Sequence, residues 1–272
     1  MKGKPGKTGP PTSWDNVAHW YDQLVGDEGS EYQRQVVFPG VLRMLAFAPG
    51  QRVLDVACGQ GVFCRLLHER GAKVTGVDAA RQLIAIARRR SDPAIEYFVG
   101  DARKMNFLPT GAFAAACCIL AIQNIGDPAP VLSGMQRALE PRGALVLVMT
   151  HPCFRSPQYT SWGWDEQNHT QYRRVDRYLL PRKHPIFTHP GAKTGQYTWT
   201  FHRPISAYVR LLRNAGLLVD SVEEWPGHKT STSGPRASAE NAARREMPLF
   251  MAIRAVKSVH SAGCEQPGHP AS

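Results

Sequence analysis

The stretch Val53-Leu54-Asp55-Val56-Ala57-Cys58-Gly59-Gln60-Gly61 decides how the chain folds. Its apolar residues around one acid predict a short strand, and two glycines in three positions predict a sharp turn. Phe63, Leu66 and Leu67 then recur on one helical face over residues 62–70, with Gly71 as the stop. Glycine lacks Cβ, so the turn can bring backbone close to a ligand, and the N–H groups opening the helix point at whatever the turn holds. A second apolar run, Val74-Thr75-Gly76-Val77-Asp78, ends in another acid. A carboxylate at that offset can accept hydrogen bonds from both hydroxyls of a ribose. Turn and acid together point to a nucleoside cofactor.

Glycine spacing separates the candidates. A dinucleotide fingerprint G-x-G-x-x-G would need glycines at 57, 59 and 62, where the chain has Ala57, Gly59 and Val62. Starting at Gly59 instead puts Cys64 in the third place, and that third glycine is the one that lets helix and strand pack closely. What fits is Asp55-x-Ala57-x-Gly59-x-Gly61. This resembles motif I of the class I S-adenosylmethionine-dependent methyltransferases, with Ala57 in place of their commoner first glycine.

The resemblance extends further. After a helix over 80–89 and the break at Asp92-Pro93, a strand over 95–99 delivers Gly100-Asp101-Ala102. In the family that acid accepts from the adenine amino group. A strand over 113–120 follows, then Ala121-Ile122-Gln123-Asn124, which would line the methionine and methyl region. The family's usual Asp after Phe113 is here Ala114. A helix over 129–139 leads through Pro141-Arg142-Gly143 to a buried strand over 144–149. Near the N-terminus, Trp14-Asp15-x-x-Ala18-x-x-Tyr21-Asp22 resembles the segment that many small members fold over the cofactor; the alternative is a plain amphipathic helix. The resemblance implies S-adenosyl-L-methionine as cofactor, held by Tyr21, Asp55, Ala57, Gly59, Gly61, Asp78, Ala79, Asp101, Ala102 and Leu120.

Strands and helices alternating at this rhythm predict an α/β fold, a doubly wound and mostly parallel Rossmann-like sheet of six to seven strands with right-handed crossovers. Residues 151–203 interrupt the pattern and hold ten of the 24 aromatic residues. A flexible linker would be poor in them, so this segment is expected to be an ordered cap, partly β-structured around 196–202. A helix over 205–215, a strand over 217–224 and a last strand over 248–256 complete a single domain, 13–256. Residues 1–12 are expected to be a disordered basic tail and 257–272 a loose one.

Methyl transfer from a sulfonium is an in-line displacement that needs orientation, a dry pocket and sometimes a base. His151 and His202 are the candidate bases, since a histidine's ordinary pKa suits proton abstraction near neutrality. For either alone, a strand-end cap bonded to backbone is the preferred alternative. Asn124, Trp162, Trp164 and Arg203 are candidates to hold the acceptor. No spacing compels a metal site, and the six cysteines form no C-x-x-C pair. The formal charge of +11 admits nucleic acid, but no basic block is interleaved with aromatics. A small-molecule acceptor is therefore preferred over tRNA or rRNA, and a non-catalytic nucleoside-cofactor-binding protein is the reading from another class. No apolar run is long enough for a bilayer and none follows the basic N-terminus as in a signal peptide, so a cytoplasmic protein is expected. Oligomeric state has no signal in the sequence.

Overall fold

Seven strands form one sheet in the order β10-β11-β5-β4-β1-β2-β3 in a computed structural model that describes residues 14–187 and 197–259. In chain order these are β1 (Arg52–Val56), β2 (Lys73–Asp78), β3 (Glu96–Val99), β4 (Phe113–Ile119), β5 (Leu139–Thr150), β10 (Leu217–Trp225) and β11 (Phe250–Lys257). β3, β2, β1, β4 and β5 pair in parallel. β11 pairs antiparallel with β5 and with β10, so it alone runs against the rest. The mostly parallel, doubly wound sheet expected from the sequence is present. The expectations for residues 1–12, for residue 196 and for the tail past 259 concern positions outside the described residues. No helix among the described residues is long and apolar enough to cross a membrane.

Strand alternation sorts side chains onto two covered faces. Leu54, Val56, Ala116, Leu145 and Leu147 pack with α5 (Ala129–Ala138) and α6 (Ile205–Asn214), through Leu132, Met135, Tyr208 and Leu212. Val53, Val74, Ala115, Val146 and Val148 pack on the other side with α2 (Phe38–Leu45), α3 (Val62–Glu69) and α4 (Arg81–Arg90), through Phe38, Phe63, Leu67 and Ile84. Because both faces are covered, the parallel strands are near-continuous apolar runs. Only their carboxyl edge is left to build a site.

Local chemistry moved some boundaries. From its sequence the segment 32–45 predicts one helix closed by Pro49-Gly50; the structure has a π-turn, Gln33–Val37, running into α2. Pro39 donates no N–H and crowds the preceding turn, and a widened turn just upstream accommodates both. α2 stops at Ala46, left-handed at φ 48°, ahead of the expected Pro49-Gly50. β5 starts five residues before the expected Ala144: Leu139 already pairs with Phe113, and the ladder resumes at Ala144 with Ala115. Pro141 sits in the intervening bulge, where no ladder donor is required.

The expected cap region contains two hairpins among the described residues, β6 (Thr160–Asp165) with β7 (Thr170–Val175) and β8 (Arg182–Phe187) with β9 (Tyr197–His202). β8–β9 lies on the carboxyl end of β4. Thr200 Oγ1 donates to Gln123 O at 3.4 Å, and Arg203 Nη2 donates to Ile125 O at 2.8 Å and Gly126 O at 2.7 Å. Arg236, just before α7 (Ala237–Glu246), stacks on Trp164 of β6 at 4.4 Å.

Candidate functional site

The turn between β1 and α3 is built from alternate left-handed residues: Ala57 (φ 60°), Gly59 (φ 58°) and Gly61 (φ 81°). A Cβ on Gly61 would sit 2.4 Å from the Tyr97 hydroxyl and 3.0 Å from Ala87 Cβ, so glycine is what lets α3 start this close to β3 and α4. A Cβ on Gly59 would meet the Tyr21 ring at 3.2 Å. Tyr21 belongs to α1 (Ala18–Val25), which therefore lies over the turn. Gln60 Nε2 donates to Gly26 O at 2.5 Å and Arg65 Nη2 to Asp27 O at 2.8 Å. Asp22, beside Tyr21, is taken by Arg90 of α4 at 2.6 and 3.0 Å.

Asp78 ends β2 next to this turn. Its Oδ2 accepts from Gly59 N at 2.9 Å and its Oδ1 from Ala80 N at 2.7 Å. The carboxylate is thus fixed beside the glycines, followed directly by Ala79. Asp101 ends the next strand, half-exposed, and caps a short turn, Ala102–Lys104. It accepts from Arg103 N at 2.9 Å and from Arg103 Nη2 at 2.7 Å; that guanidinium holds its carboxyl below the usual carboxylate range.

Asp55 lies deeper than the other two acids. It points toward α3 and accepts from the thiols of Cys64 at 3.3 Å and Cys117 at 3.5 Å. Burial pushes its carboxyl up to about 7, the two thiols opposing the shift and the Asp78 charge adding to it. Burial likewise raises Asp78, against the backbone N–H groups of Ala80 and Gly59. It raises the Tyr21 phenol too, with Asp78 and Asp55 adding to the effect, which keeps that hydroxyl protonated. The acids Asp55 and Asp78 have no cation paired with them among the described residues, and a positively charged ligand would relieve both.

On the acceptor side, Leu120 closes β4 in the left-handed region (φ 54°). Its carbonyl accepts from Gln123 Nε2 at 3.0 Å and Asn124 Nδ2 at 3.3 Å. This leaves Gln123 Oε1 and Asn124 Oδ1 buried without a partner. Trp162 lies under two guanidinium groups, Arg155 at 5.5 Å and Arg173 at 5.0 Å. Trp164 is held by Arg236 and its buried Nε1 has no partner. Arg203 braces the loop after Asn124 through Ile125 and Gly126, with Nη1 buried and unpaired.

The two histidines differ. His151 is buried, and its Nδ1 accepts from the backbone N–H groups of Cys153 at 3.2 Å and Phe154 at 3.4 Å. Its proton is therefore on Nε2, which donates to Glu224 Oε1 at 2.6 Å. Neither nitrogen is free, and burial holds the ring below its ordinary pKa. This is the geometry of the strand-end cap. His202 uses Nε2 toward Tyr178 O at 2.7 Å; the lone pair is then on Nδ1. A separate groove of about 780 Å³, lined by Phe38, Leu42, Val62, Leu66 and others, shares Asp27 and Arg65 with the outer side of the turn but includes none of Tyr21, Asp55, Asp78, Asp101 or Asn124.

Comparisons with known proteins find likeness in sequence and fold. Residues 53–143 match the family described as methyltransferase domain. The chain is 34% identical over 101 residues to the ubiquinone biosynthesis O-methyltransferase of Xanthomonas oryzae pv. oryzae, covering 36% of this chain and 42% of that one. It is 32% identical over 142 residues to the demethylmenaquinone methyltransferase of Renibacterium salmoninarum, covering 52% and 59%. The chain thus spans about half the length of these relatives. A solved S-adenosylmethionine-dependent methyltransferase from Mesorhizobium loti aligns with a TM-score of 0.64 and 29% identity, over 80% of this chain and 96% of that one. The left-handed turn, the acid fixed beside it and Tyr21 over the turn suit S-adenosylmethionine. In fold and rim the chain is similar to the class I S-adenosylmethionine-dependent methyltransferases, the methyltransferase-domain match itself covering residues 53–143.

Proposed function

We propose that the protein transfers the methyl group of S-adenosylmethionine to an oxygen or nitrogen of a small molecule. The observation that carries this reading is Asp78, whose two oxygens are fixed by Gly59 N and Ala80 N at the carboxyl edge of the sheet. Bound there, the cofactor supplies an activated methyl; the chain supplies position and exclusion of water. Asp78 accepts from the ribose, Gly59 and Gly61 let the backbone approach, Tyr21 closes over the turn, and Asp101 and Ala102 border the adenine. Leu120 and Asn124 border the methyl region. Of the two candidate bases His202 is the one we assign, because its Nδ1 keeps a lone pair; His151 is assigned to holding the end of β5.

The relatives' names, an O-methyltransferase of ubiquinone biosynthesis and a demethylmenaquinone methyltransferase, support a small-molecule acceptor over RNA. The test is a labelled-methyl screen of a metabolite library beside bulk tRNA. Label should enter one or a few small molecules. Label in RNA alone, or no transfer to anything while S-adenosylhomocysteine binds, would overturn the reading.

A further inference from the structure

The two hairpins meet at Tyr159. The Arg182 guanidinium lies 3.6 Å from the centre of its ring, and the His184 ring lies 5.6 Å from it. In the β8–β9 ladder Arg182 is opposite His202 and His184 is opposite Thr200. Side chains alternate along a strand, so these four residues share one face of the hairpin. That face is the inner one: His184 and His202 are buried, and Thr200 bonds to Gln123 at the end of β4.

On it, Nη1 and Nη2 of Arg182 and Nε2 of His184 are out of solvent and have no hydrogen-bond partner. Buried polar groups in folded proteins are paired with protein, with water or with a ligand. No carboxylate among the described residues pairs with Arg182, nor with Arg155 or Arg173 around Trp162. Burial, then the Arg182 charge, push the His184 imidazole below its ordinary range, so the cationic fork has a neutral neighbour able to offer one N–H. After the end of β4, where Thr200 of this face contacts Gln123, the unpartnered atoms have the opposite sense, since Gln123 Oε1 and Asn124 Oδ1 are acceptors next to Leu120.

We propose that the inner face of β8–β9 is an oxyanion subsite of the acceptor pocket, in which the Arg182 fork and His184 Nε2 hold a carboxylate or phosphate group of the methyl acceptor. A planar guanidinium with both terminal nitrogens free matches either group in a bidentate pair. The amide oxygens of Gln123 and Asn124 take the N–H or O–H of the group to be methylated. The substrate class is then a small molecule with an oxyanion at one end and a hydroxyl or amine at the other, its ring against Tyr159. This rests on the methyltransferase reading.

The test titrates the full chain, saturated with S-adenosylhomocysteine, by calorimetry with 4-hydroxybenzoate, phenyl phosphate and the neutral 4-hydroxybenzamide. At least one anion should bind about tenfold more tightly than the amide, about 1.4 kcal/mol, and the better of the two tells carboxylate from phosphate. Arg182→Gln should abolish the preference and leave S-adenosylhomocysteine affinity unchanged. Arg174→Gln, at an exposed site paired with Asp176, should keep it. The subsite is overturned if the amide matches both anions, if none of the three binds at about 10 mM, a weak-contact ceiling, or if Arg182→Gln weakens S-adenosylhomocysteine, which would assign the fork to the cofactor. Should Arg182→Gln not fold, the anion–amide comparison on the native chain decides alone. Failure of the native chain to bind S-adenosylhomocysteine would instead sink the methyltransferase reading, and the subsite with it.

Discussion

Ala57 occupies a left-handed position (φ 60°) where the family more often has glycine. An L-residue there costs about 1–2 kcal/mol, while glycine loses about 0.5–1 kcal/mol more chain entropy on folding. The first effect is the larger, so Ala57→Gly should stabilise the protein by about 0.5–1 kcal/mol, read as a higher urea midpoint; a lower midpoint would mean that the methyl group packs to advantage. Asp55 gives a second prediction. Its carboxyl titrates near 3.8 when unfolded and about 7 when folded, so between those values the native chain holds a proton the unfolded chain has lost. Its contribution to stability is full below the lower value and is lost as pH rises through the upper. Asp55→Asn cannot titrate, so the variant's melting temperature relative to the native chain should rise between pH of about 4 and about 7 without cofactor; a constant difference would contradict the burial account. The glycines, Asp55 and Asp78 were legible in the sequence because local backbone demands and strand ends leave a pattern within a few residues. Arg182 and His184 were not. Their pairing with β9 and their lack of partners exist only once distant residues meet.

Among the elements, the core strands and α3 through α6 were legible to within a few residues, because apolar periodicity is set locally. The start of β5 was not, since nothing local says that Pro141 lies in a bulge of a ladder already begun at Leu139. The π-turn before Pro39 escaped for a related reason, its residues being ordinary helix formers upstream of the cause. The aromatic content pointed to structure in 151–203, while the pairing of its described residues into two hairpins depends on register. At this scale His151 acts on the end of β5. Removing its ring strands the N–H groups of Cys153 and Phe154, and a buried donor left unpaired costs about 1–3 kcal/mol. His151→Ala should therefore lower stability by about that much in denaturant unfolding while S-adenosylhomocysteine affinity stays as in the native chain. Unchanged stability together with lost turnover would return His151 to the catalytic role.

For the molecule as a whole, the parallel strands deliver Asp78, Asp101 and Leu120 to one edge, with α1 over the glycine turn and β8–β9 over the end of β4. The cofactor half of this arrangement is carried by short-range pattern; the acceptor half is carried by contacts between hairpins and loops far apart in sequence. That division explains why the cofactor was readable from the chain and the proposed oxyanion subsite required the fold. The measurement that bears most directly on the central claim is a calorimetric titration of S-adenosylmethionine into the native chain and into Asp78→Ala, side by side. The native chain should bind one equivalent and the variant at least tenfold more weakly, about 1.4 kcal/mol; no binding by the native chain, or equal affinity in the two, would contradict it.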